Sequence, residues 1–163
     1  HEHSDHLNIP LVRELRQKTD AVVVTTPFVA RLFRGVPAER LRPLKIWESI
    51  LVKGNSLCAW PSVHPGRRPL SFFLETEDGV RLYHPSDSDP FPEMGRLARK
   101  GGPDLLLYLG SSLEKALQIV DLVRPQTLLS RYLEPMQTAQ RLETETNGTR
   151  SAILHPLEIF RYP

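Results

Sequence analysis

The chain has 163 residues, 40% hydrophobic and 25% charged, with a formal net charge of +2. That is enough apolar material for one domain with a core, and a balance too close to neutral to imply nucleic acid by itself. No apolar run approaches the ~18 residues of a membrane span, no signal peptide is visible, and the single Cys58 excludes an internal disulfide framework, so a cytoplasmic protein is expected.

The opening stretch His1-Glu2-His3-Ser4-Asp5-His6 holds three imidazoles and a carboxylate that cannot form a core. In an extended segment His1 and His3 point to the same side, because side chains alternate with period two. Asp5 and His6 can then turn toward a neighbouring ion as the chain enters a helix. Imidazole nitrogen with carboxylate oxygen is the donor set that zinc, manganese and iron favour. The competing readings are a solvated polar terminus or the scar of a purification tag, although a tag is normally an uninterrupted histidine run.

Residues 10–18 are predicted helical, with Leu11, Val12 and Leu15 at helical spacing and Pro10 in the first turn. The β-branched run 21–25 predicts a buried parallel strand, and 27–33 a helix ended by Gly35. Strands are expected at 45–52 and 56–63 around Lys53-Gly54-Asn55, and at 70–76 and 80–84 around the hairpin signal Glu77-Asp78-Gly79. Cys58, between Leu57, Ala59 and Trp60, reads as a packed thiol. A loop over 86–92 leads to a helix at 93–100, broken by Gly101-Gly102-Pro103. A buried strand at 104–109, a helix at 113–123, a strand at 127–130 and a last strand at 151–160 complete the pattern. The alternation favours α/β architecture.

The spacing His1-x-His3-x-Asp5-His6 resembles the signature of the metallo-β-lactamase superfamily, a large group of mostly dinuclear metallohydrolases. The downstream order is most similar to the branch of ascorbate-6-phosphate lactonase-like and phospholipase D-like hydrolases, from residue 1 to about 163. The resemblance implies a four-layer αββα sandwich as a single domain over 1–163, lacking the N-terminal strands that precede the histidine-rich loop. Missing strands would leave a sheet face or edge to be covered by self-association, as a homo-oligomer, or by a partner chain.

The same resemblance implies a site. His1 and His3 would share one ion with His64, which follows a predicted strand; the rival reading of His64 is a loop histidine bonded to backbone. Asp87, in Tyr83-His84-Pro85-Ser86-Asp87-Ser88-Asp89, would bridge two ions, with Ser86 where the family commonly has glycine. Asp89 is a possible substitute, and a solvated turn carboxylate is the competing account. His84 is read as closing its strand. Asp5, His6 and Asp87 would hold the second ion. Arg131 stands where the family places a histidine for that ion, and a guanidinium has no lone pair to give. The second site is therefore expected to be weak or empty, with Arg131 stabilising developing negative charge in its place. His155, the one later histidine, reads as part of a terminal strand.

The function implied is metal-assisted hydrolysis of a small-molecule lactone, ester or phosphodiester. A hydroxide held by one or two ions of zinc, or of manganese or iron, would attack, and Asp5 would orient or deprotonate the water. Two alternatives stand beside it: a non-catalytic metal-binding scaffold or regulatory member of the fold, and an RNA- or DNA-processing nuclease. The second would need a basic surface that the net charge of +2 argues against. The basic residues Arg31, Arg34, Arg40, Arg42 and Lys45, and the pair Arg67-Arg68, read as solvated surface or as a reception site for a phosphate or acidic substrate.

Overall fold

A computed structural model describes residues 1–130, 141, 144–146, 148–154 and 158–162. Helix α1 (Ile9–Lys18) starts where the Asn8 side chain accepts the Leu11 N–H at 3.0 Å and Pro10 occupies the first turn. Strands β1 (Val23–Thr25) and β2 (Leu41–Pro43) pair in parallel as a small sheet. Between them lies the short helix α2 (Pro27–Ala30), capped by the buried Thr26 hydroxyl, which accepts the Val29 N–H at 3.1 Å.

Among the described residues the large sheet has seven strands in chain order: β3 (Ser49–Val52), β4 (Asn55–Pro61), β5 (Leu70–Glu75), β6 (Arg81–His84), β7 (Leu105–Tyr108), β8 (Thr127–Ser130) and β9 (Arg150–Ile153). From β3 to β6 the pairing is antiparallel and from β6 to β9 it is parallel. The difference follows from the connections. Tight turns can reverse the chain between β3 and β4 or β5 and β6, whereas parallel neighbours need a crossover. The crossovers carry α3 (Gly95–Ala98) between β6 and β7, and α4 (Leu113–Val123) between β7 and β8.

Period-two alternation sends Trp60, Tyr83, Leu106, Tyr108 and Leu128 to one face, where they pack with Leu97 of α3 and Ala116, Ile119, Val120 and Val123 of α4. Ala59, Leu70 and Phe72 point to the other face and meet Val24 of the small sheet. Registration across the pairs places Leu57, Leu74, Leu82 and Leu105 side by side on four successive strands. Two sheets with flanking helices make the mixed α/β fold expected from the residues; among the described residues the smaller sheet has two strands.

Several local expectations need correction. No residue of α1 is buried, and Leu11 and Leu15 are 48% and 51% exposed, because the described residues cover only Ile9, Val12 and Arg16 in part. Strand β2 was not predicted from its sequence, since Leu-Arg-Pro is too short to alternate and is held by partners rather than propensity. The predicted helix at 93–100 begins as a 3-10 turn at Pro92–Met94 before α3, and the last strand stops at Ile153. Among the described residues, no helix is long and apolar enough to cross a membrane.

Candidate metal centre

Three loops meet at one end of the large sheet. The first is the N-terminal segment, where the N–H groups of His6 and Leu7 both donate to the His3 carbonyl, at 3.0 and 2.9 Å. This turn swings the His6 ring back to 4.4 Å from the ring of His1, centre to centre. The second is the loop after β4, which carries His64. The third follows β6, where Ser86 adopts a φ of 57°, in the left-handed region that glycine occupies with least strain, and aims Asp87 inward.

The second and third loops are fastened together. Asp89 N–H donates to the Val63 carbonyl at 2.8 Å, and Val63 N–H donates to the Ser88 hydroxyl at 2.8 Å. Ser88, 3% exposed, in turn donates to the Asp89 carbonyl at 2.9 Å. The first loop is tied to the second through Glu2, whose carboxylate accepts the Arg67 N–H at 2.8 Å. Neither Ser88 nor Glu2 was singled out from the sequence; a serine between two aspartates in a turn gives no signal distinguishing a clip from a solvated loop.

His1 is the hub of the resulting cluster. Its ring lies 4.4 Å from that of His3 and 4.7 Å from that of His64, centre to centre. One oxygen of Asp87, Oδ2, is 2.7 Å from His6 Nε2 and 3.7 Å from Nε2 of both His1 and His64. His64 Nε2 is 3.3 Å from His3 Nδ1. Donor atoms fall into two overlapping groups, His1–His3–His64 and His1–His6–Asp87, each with its members within 4.8 Å of one another. The Asp87 carboxylate therefore faces histidines of both groups.

Other candidate residues stand differently. Asp5 belongs to neither group; its carboxylate is 72% exposed and 3.5 Å from His6 Nε2. Asp89 pairs with the Lys115 ammonium. His84 closes β6, with Nδ1 3.1 Å from the Leu107 carbonyl, and burial holds its pKa below the ordinary imidazole range. Arg131 and His155 lie outside the described residues.

The donor set fits a cation. The His1 side chain has no exposed surface, yet neither ring nitrogen has a hydrogen-bond partner. Leaving such a group unsatisfied costs about 1–3 kcal/mol, and a divalent ion accepting imidazole nitrogen would remove that cost. Mixed nitrogen and carboxylate donors suit zinc, manganese or iron better than calcium or magnesium.

The family described as beta-lactamase superfamily domain matches residues 1–146. A protein named metal-dependent hydrolase from Methanoculleus marisnigri is 32% identical over 117 residues, covering 66% of this chain and 49% of its own length. Another of that name from Polaromonas sp. is 27% identical over 122 residues, covering 68% of this chain and 45% of its own. The chain thus spans about half the length of the curated relatives it matches. Among solved structures, a metallo hydrolase from the archaeon Ignicoccus hospitalis superposes with a TM-score of 0.82 at 19% identity, covering all of this chain and 78% of that one. With a family match over 146 residues and a fold shared with such structures, the chain belongs to the beta-lactamase superfamily and is built on the metallo-β-lactamase-like fold.

Proposed function

We propose that this chain carries the metal site of a metal-dependent hydrolase acting on a small lactone, ester or phosphodiester. The observation that carries the reading is the buried His1 imidazole, unpartnered at both nitrogens and flanked by three further histidines and Asp87. The names of the relatives from Polaromonas and Methanoculleus point the same way.

In this reading His1, His3 and His64 would hold one ion, His6 and Asp87 would serve an adjacent position within reach of His1, and zinc, manganese or iron would be the metal. The chemistry supplied there is acidification of water near neutral pH and polarisation of the substrate oxygen. The protein's own groups do the rest. The Asp87 carboxylate faces Nε2 of His1, His6 and His64 and orients those rings. Asp5, exposed and beside His6, accepts the proton released when water attacks and hands it to solvent. Arg131, the residue that directly follows β8 in the sequence, is assigned to the developing negative charge on the substrate.

The test is elemental analysis of the purified chain together with hydrolysis of a lactone, carboxylic ester and phosphodiester panel. Hydrolysis abolished by chelation, restored by one of the three metals and lost in His64→Ala is the expected result. Stoichiometric metal with no turnover of any class would replace it with the scaffold reading.

A further inference from the structure

Beside the histidine cluster lies a second cavity of about 580 Å³, a volume typical of small-ligand sites. Its charged lining residues are Arg31, Lys45, Arg67 and Arg68, with no carboxylate among them. All four are exposed, and none has a side-chain ion pair with a described residue. Elsewhere on the surface, by contrast, Arg40, Lys53 and Lys115 are each paired with an aspartate. The nearby carboxylates of Glu2 and Glu48 are bonded to the backbone N–H groups of Arg67 and Lys45, at 2.8 Å each, rather than to their side chains, and an anion entering between the four cations relieves their repulsion.

Two features give the cavity shape as well as charge. The Arg67 guanidinium lies over the Phe28 ring at 4.6 Å from its centre, which holds the planar group flat and leaves its N–H edge available. Arg68, which lines the cavity with Arg67, adopts a φ of 58°, in the left-handed region that a non-glycine residue enters at a cost. Apolar walls come from Phe28, Leu44 and Leu70. A free inorganic ion would not use them; an organic anion would.

The cavity also adjoins the metal centre. Leu70 lines both this cavity and the one containing His1 and His6. Arg67 follows His64 by three residues on the same loop, and its N–H is bonded to Glu2, between His1 and His3. We infer that this cavity is the substrate's anchoring subsite, receiving a phosphate or carboxylate group attached to an apolar body while the scissile bond lies at the histidines. The inference rests on the hydrolase reading for the word substrate, and on the cavity alone for the anion.

The experiment therefore has two arms. In the first, inorganic phosphate is titrated into the metal-loaded chain while side-chain N–H resonances of the arginines are followed by NMR. Arg31, Arg67 and Arg68 should shift, with affinity reduced about tenfold or more in an Arg31→Ala/Lys45→Ala variant. Arg99→Ala, which removes a charge outside the cavity, should leave the titration unchanged. In the second, kcat/KM is compared for a phosphate-bearing aryl ester and its neutral counterpart. Wild type should prefer the anion, and the double variant should lose that preference. Phosphate that shifts no cavity arginine, or binds the double variant equally well, overturns the subsite whether or not any ester is cleaved. Turnover of both esters without preference overturns it while leaving the hydrolase reading intact; failure to cleave either counts against that reading alone.

Discussion

The Ser88 hydroxyl accepts the Val63 N–H at 2.8 Å, so the residue after Asp87 holds the residue before His64. One buried side chain thereby sets the spacing between the two loops that face the N-terminal histidines. Ser88→Ala should leave the Val63 N–H unpaired and lower stability by about 1–3 kcal/mol in urea unfolding. Loss of an orienting partner should also weaken metal binding about tenfold or more in a chelator-competition titration. Unchanged metal affinity would mean the loops are placed by other contacts.

His1 contributes to both donor groups, whereas His3 and His6 each contribute to one. Elemental analysis of the three alanine variants should rank them accordingly. His1→Ala should retain less metal per chain than either His3→Ala or His6→Ala. Equal retention in all three would show that the two groups do not depend on a common imidazole.

Asp104 offers a pH test away from the metal centre. Its carboxylate accepts the Arg81 backbone N–H at 2.7 Å and the Gln126 side-chain N–H at 2.7 Å, and pairs with the Arg81 guanidinium at 3.3 Å. Burial pushes the carboxyl pKa up, but the bonds and charge from Arg81 outweigh it, and the net position is below the ordinary 3.8. A depressed folded-state pKa stabilises the protein above the ordinary value, and that contribution disappears as pH falls through the folded one. Asp104→Asn should cost about 2 kcal/mol at neutral pH, and the gap to wild type should close in unfolding curves taken well below pH 3.8. A gap independent of pH would contradict the assignment.

Two glycines in left-handed backbone separate conformational cost from collision. At Gly102, φ 69°, an added Cβ would strike the Arg124 carbonyl oxygen at the end of α4. At Gly79, φ 86°, nothing lies within 4 Å of it. Gly79→Ala should therefore lose about 1 kcal/mol, and Gly102→Ala substantially more, about 3 kcal/mol, by urea unfolding. Equal losses would show that the chain before β7 shifts freely from α4.

Much of this architecture could be read residue by residue. Helix α4 and strand β8 occupy the spans that their apolar patterns indicate, because a serine cap at Ser112 and a left-handed Arg124 bound the helix locally. The turn residues Lys53-Gly54 and Asp78-Gly79 likewise mark both hairpins, since their geometry depends on a few neighbouring dihedrals. The histidine spacing at the N-terminus names its own chemistry, and so points to the right superfamily.

Local pattern says nothing, however, about which distant groups meet. That His1 rather than Asp87 is common to both donor groups, and that Asp5 stands in neither, depends on a turn closing on the His3 carbonyl and on two loops clipped by Ser88. The exposure of Leu11 and Leu15 and the pairing of β2 depend in the same way on what lies opposite them. Periodicity is a property of neighbours along the chain; burial and convergence are set by sheet order and packing, which bring His1 and His64 together across sixty-three positions.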